Sequence, residues 1–132
     1  MAVSNTPVFA QTPILGIGQV STANTNRDGS TGTYSDIFTA GSNGARIEYI
    51  RIVATGTTTA GVVRLFLSTD GSTYRLWKEI LISAITPSTT VEVAVGEYMP
   101  TRPLVLPATN GKIRASTNNA ETFNVFVHGA NL

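Results

Sequence analysis

The stretch Val62-Val63-Arg64-Leu65-Phe66-Leu67-Ser68-Thr69-Asp70-Gly71-Ser72-Thr73-Tyr74-Arg75-Leu76-Trp77-Lys78-Glu79-Ile80-Leu81-Ile82 decides the fold. Two alternating apolar runs flank Asp70-Gly71, and Asp-Gly supplies the positive φ that a tight hairpin turn requires. Side chains alternate across a strand, so Val63, Leu65 and Leu67 share one face and Val62, Arg64 and Phe66 the other. In the second run the alternation sets Tyr74, Leu76, Lys78 and Ile80 against Arg75, Trp77, Glu79 and Leu81. Neither face of either run is purely polar. Such strands are expected to be covered on both sides, by a second sheet on one side and by a partner, loop or arm on the other.

Working outward, the same rhythm of short apolar segments broken by Gly, Asn, Asp, Ser or Pro predicts strands over 14–20, 33–39, 45–54, 62–68, 74–82, 89–95, 104–106, 112–117 and 122–128. That pattern is the signature of an all-β protein, and we expect an antiparallel β-sandwich of jelly-roll-like form. In the first strand Gly16 and Gly18 either weaken the strand or mark a close backbone approach. Residues 21–32 read as a polar loop. The segment 47–53 mixes charge and apolar groups, with Ile47, Tyr49, Arg51 and Val53 on one face and Glu48, Ile50 and Ile52 on the other. Residues 1–12 read as an extended N-terminal arm, because Pro7 and Pro13 disfavour helix at the residues before them. Residues 13–132 then form a single domain, a length at which a chain buries about two-thirds of its unfolded surface.

Composition narrows the function. Charged residues make up 13% of the chain and the net charge is +1, against about 25% charged in an ordinary domain, which argues against a nucleic-acid or membrane partner. There are no cysteines, so neither disulfides nor thiolate metal sites are available and stability rests on packing or assembly. The first residues carry no basic segment followed by a long apolar run, so a secretory signal is not expected and synthesis in the cytoplasm is.

Residues able to do chemistry are few. His128 is the single histidine, and the expectation for it is a half-exposed strand-end side chain rather than a member of a catalytic or metal-binding set. Asn24-x-Asn26-x-Asp28-Gly29 copies the opening of a calcium loop, but position twelve is Ser35 and not a bidentate glutamate, so a solvated turn is the expectation. No spacing singles out a pair among the carboxylates Asp28, Asp36, Asp70, Glu48, Glu79, Glu92, Glu97 and Glu121. Gly16-x-Gly18 lacks the further glycine and following helix of a dinucleotide loop. Among the aromatics, Trp77 between Arg75 and Glu79 has three readings: core, protein interface or ligand platform.

A resemblance enters at residues 45–67, Ala45-Arg46-Ile47-Glu48-Tyr49-Ile50-Arg51-Ile52-Val53-Ala54 through Gly61-Val62-Val63-Arg64-Leu65-Phe66-Leu67, with the Asp70-Gly71-Ser72 turn and Tyr74-Arg75-Leu76. Together with residues 113–125, Ile113-Arg114-Ala115-Ser116-Thr117 to Phe123-Asn124-Val125, these resemble small structural proteins of tailed bacteriophages. The resemblance implies a capsid decoration or cement protein: a small β domain on the outer surface of the head, commonly a trimer, that bridges major capsid protein subunits. It implies no catalytic residues. An extended arm suits that role, because it can clasp a neighbour by β-addition or groove docking.

The expectations are therefore a non-enzymatic virion structural protein, made in the host bacterial cytoplasm and placed on the capsid surface, with the major capsid protein and further copies of itself as partners. No cofactor and no metal are expected. Partner contacts are expected at Val3, Pro7, Phe9, Pro13, Arg27, Arg64, Arg75 and Trp77, within the arm, the 24–32 loop and exposed strand faces. The alternatives are a tail or baseplate component, and a carbohydrate-binding host-attachment module using Tyr74 and Trp77.

Overall fold

The computed structural model describes residues 12–132. They form nine antiparallel strands: β1 (Thr12–Val20), β2 (Ser35–Thr39), β3 (Ala45–Ala54), β4 (Gly61–Ser68), β5 (Tyr74–Ile82), β6 (Val95–Tyr98), β7 (Leu104–Leu106), β8 (Lys112–Thr117) and β9 (Phe123–Asn131). One sheet has the order β1-β9-β3-β6, with β7 also paired to β3, and the other β2-β8-β4-β5. Two packed antiparallel sheets make the protein a β-sandwich, as the alternation predicts. Inward-facing Ile50, Ile52, Val125 and Val127 of the first sheet meet Val63, Leu65, Ile80, Ile113 and Ala115 of the second in one core. Each large side chain buried there contributes about 1.5–3 kcal/mol.

The hairpin forms as predicted and shows how the sequence closes it. Asp70 Oδ1 accepts from the backbone N–H groups of Ser72 and Thr73 and from the Ser68 hydroxyl, while Gly71 turns at φ 82°. These bonds hold the Asp70 carboxyl below the usual carboxylate range. The parity expected for β5 is corrected by a bulge. Leu65 lies opposite Lys78 but Phe66 lies opposite Leu76, so Trp77 is an extra residue and the faces switch there. Tyr74 and Leu76 consequently share the outer face with Glu79 and Leu81, whereas Ile80 and Ile82 point into the core. A second bulge at Glu48 does the same in β3: Ile47 joins Ile50 and Ile52 inside, and Tyr49, Arg51 and Val53 face out.

Strand boundaries also move. The first strand, expected from residue 14, already includes Thr12, the first described residue, and the rest of the expected arm lies outside the described residues. The second, expected from residue 33, begins at Ser35. The strand expected over 89–95 starts only at Val95, because Ser88 N–H bonds to the Val91 carbonyl and Thr90 N–H to the Ser88 hydroxyl, curling the segment into a turn. The last strand continues past His128 to Asn131, paired with β1 and β3 on its two sides.

Gly16 and Gly18 mark a close approach. A Cβ on Gly16 would overlap the Ile37 carbonyl oxygen, and one on Gly18 the Ile37 side chain. Glycine at these positions lets the edge of one sheet close onto the edge of the other at the β1/β2 seam.

Candidate interaction surface

The two outer faces of the sandwich differ. On the β2-β8-β4-β5 sheet the outward side chains include Arg64, Phe66, Tyr74, Arg114 and Ser116, brought together by the registers Arg64↔Ser116 and Phe66↔Arg114. Residues 21–34 fold over them. Asn24 anchors this cover: its backbone N–H bonds to the Thr117 carbonyl, and its side-chain amide donates to the Thr31 and Thr33 carbonyls. The Asn24 Oδ1 accepts from Asn26. Asp28 caps the next turn, accepting from Ser30 N–H, Thr31 N–H and the Thr31 hydroxyl, and these bonds hold its carboxyl below the usual range. Two of the three side chains that imitate a calcium loop, Asn24 and Asp28, thus have oxygens engaged in folding the loop itself.

Two arginines fasten the cover from below. Arg64, with 2% of its surface exposed, donates through Nη1 to the Asn24 carbonyl and through Nη2 to Asn118 Oδ1 at 3.1 Å each. Its Nε lies 3.7 Å from Glu79, whose carboxylate also pairs with Arg27 at 2.7 Å. Burial pulls the Arg64 guanidinium below its ordinary value, with Glu79 opposing that shift. The Glu79 carboxyl is held below its ordinary value by the Arg27 hydrogen bond. Arg114 bonds to the Gly29 carbonyl and is stacked between two tyrosines, 4.1 Å from the Tyr34 ring centre and 3.6 Å from that of Tyr74. Tyr34 in turn meets Phe66 edge-on at 5.0 Å.

This arrangement corrects the expectation that Arg64 lies on an exposed contact face. The flanking Val63, Leu65 and Phe66 are fully buried, and the guanidinium is buried with them because a polar loop brings carbonyl and amide oxygens to it. Arg27 is exposed in its ion pair with Glu79, and Arg75 is exposed at the start of β5. Trp77 is half-buried, packed on the core with its ring 5.4 Å from Tyr98. Tyr74 is buried on the opposite face of β5, so Tyr74 and Trp77 do not share a stacking platform. Pro13 is exposed at the start of β1. Val3, Pro7 and Phe9 lie outside the described residues.

No described residue covers the outer face of the β1-β9-β3-β6 sheet. Four rows cross it: Pro13, Ala130, Arg46 and Val105; Leu15, His128 and Tyr49; Ile17, Phe126, Arg51 and Glu97; Gln19, Asn124, Val53 and Val95. Arg46 is paired with Glu48 at 3.2 Å. Ile17 is 61% exposed and Leu15 50%. The polar members are paired within the face: Arg51 with Glu97 at 2.8 Å and Gln19 Nε2 donating to Asn124 Oδ1 at 2.9 Å, while the His128 ring lies 5.2 Å from that of Tyr49. Burying this face under another protein would strand no charge, since each already has its counter-group. Sequence reasoning missed it because it looked for exposed arginine and tryptophan; the alternation of Leu15 and Ile17 with Gly16 and Gly18 was the available signal.

Among the described residues no three His, Cys, Asp or Glu side chains lie together as a group that could hold a metal ion, and Glu48, Glu79 and Glu97 each sit in an ion pair with arginine. The chain matches no protein-family model and no curated protein.

Proposed function

We propose that this protein is a non-enzymatic virion structural protein, a capsid decoration protein that binds the outer head surface and bridges major capsid subunits. The observation that carries the reading is the bare face of the β1-β9-β3-β6 sheet, apolar across several strands and internally neutral. Exposed aliphatics grouped on one sheet face mark a protein-binding surface rather than a small-molecule site. The strand order supports a jelly-roll reading: first and last strands pair, and consecutive strands pass between sheets at most connections, an architecture used by viral capsid and lectin domains. The lectin alternative is the weaker one here, because Tyr74 and Trp77 face opposite ways.

Repetition over a shell lets many modest contacts act together, so a small face is sufficient for each copy. The test is addition of the purified chain to expanded capsids. Binding at a fixed ratio to the major capsid protein, with a raised disruption temperature, is expected, and Val53→Lys on the bare face should weaken it. Failure to bind any capsid form overturns the reading, and binding to tails alone moves the protein to the tail or baseplate.

A further inference from the structure

The open face of the β1-β9-β3-β6 sheet holds one base without a counter-charge. The strands of that sheet carry two carboxylates, and both are taken: Glu48 by Arg46 at 3.2 Å and Glu97 by Arg51 at 2.8 Å. His128 is exposed near the middle of the face. It lies opposite Leu15 of β1 on one side and Tyr49 of β3 on the other, its ring 5.2 Å from that of Tyr49. β1 and β7 have no titratable side chain, and β9 has none besides His128. The next row of β3 brings Arg51, a cation and not an acid.

From this arrangement we infer that His128 gates docking on the open face by pH: the neutral ring lets the face be buried against the capsid, and the protonated ring releases it. The inference rests on the capsid-binding reading and adds the regulation of that same surface. A neutral imidazole beside Tyr49 can be covered at modest cost, because its two nitrogens need only one donor and one acceptor. An imidazolium is different. A docked partner would strip water from a cation for which the sheet has no free carboxylate. The partner surface selected in this way is apolar and uncharged opposite His128, matching the exposed Leu15 and Ile17 and the half-buried Phe126 around it.

No other group of the chain competes for the assignment. His128 is the single histidine and there are no cysteines, so no other side chain with an ordinary pKa titrates between about pH 8 and about pH 5.5. The Asp28 and Asp70 carboxyls are held below the usual range by their turn hydrogen bonds and stay ionised throughout. If the neutral form alone docks, affinity falls about tenfold for each pH unit below the point of protonation.

The full-length chain is titrated onto expanded capsids at about pH 8 and about pH 5.5, and the copies bound are counted after the capsids are sedimented. Binding at least about tenfold weaker at the lower pH is expected, and it should recover on return to the higher one. His128→Gln, uncharged at both, should narrow that ratio to within about twofold. Leu15→Glu sets a carboxylate opposite His128 and should invert the ratio, because the ion pair is complete only in acid. Both positions are exposed, and circular dichroism at each pH checks the fold. Parent binding that is equal at the two pH values or stronger in acid, or a parent ratio left unchanged by both substitutions, overturns the inference and leaves capsid binding standing. Absence of binding at both pH values overturns the capsid-binding reading and the inference with it.

Discussion

The two outer faces of this sandwich solve the same problem in opposite ways. Both sheets have strands with apolar groups outside as well as inside, yet one is roofed by residues 21–34 and the other is left open by the described residues. Under the roof the polar groups are buried and held by the chain: Arg64 by Asn24 and Asn118, Arg114 by Gly29 and two tyrosines. On the open face they lie near water and pair only with each other. The roofed face should therefore govern stability and the open face association.

Arg64→Ala gives the largest effect. It removes a buried guanidinium and leaves Asn24 and Asn118 oxygens without their donor, which costs on the order of 3–4 kcal/mol and is read by urea denaturation. A loss below about 1 kcal/mol would mean that the roof is dispensable. Next, Asn24→Ala removes the amide that ties the roof to Thr31 and Thr33. About 1–2 kcal/mol is expected, with faster amide exchange confined to residues 21–34 and the strands beneath them.

A smaller effect belongs to pH. Asp28 is held below the ordinary carboxylate range by its loop hydrogen bonds, so its contribution is present above its unfolded value of about 4 and is lost as pH falls toward the folded value. Asp28→Asn should flatten the acid limb of a stability–pH curve relative to the parent protein. Parallel acid limbs for the two would detach Asp28 from the roof's stability. Least of all, Ile17→Lys on the open face should change unfolding free energy by no more than about 0.5 kcal/mol. A loss as large as that for Asn24→Ala would erase the division between the faces.

Much of this was legible in the sequence, and the gaps have physical causes. The hairpin could be read because Asp70-Gly71 has local chemistry and its flanking runs alternate. The two-sided strands were legible too, together with the need for something to cover them. What could not be read was which faces would be covered. Residues 21–32 read as a polar loop and Thr33-Tyr34 as the start of a strand, and only long-range bonds, such as Asn24 N–H to the Thr117 carbonyl, make residues 21–34 a roof. Arg64 was placed outside because a lone arginine in a strand is usually exposed. The bulges at Glu48 and Trp77 are single insertions that reverse parity, and no residue in either run announces them. Of the candidate contacts, Arg27, Arg75 and Pro13 are exposed as expected, while the open face was missed because its residues are ordinary aliphatics.

The sandwich has one tryptophan, and its position gives the protein a built-in optical reporter. Trp77 stands at the β5 bulge against Tyr98, close to where the β5 and β6 edges face each other, and away from both the roof and the β1 edge. Its emission should follow opening of that seam and remain silent to events elsewhere. Tyr34 and Tyr74, stacked on Arg114, report the roof through tyrosine absorbance. Unlabelled protein can thus distinguish lifting of the loop from parting of the sheets within one thermal scan.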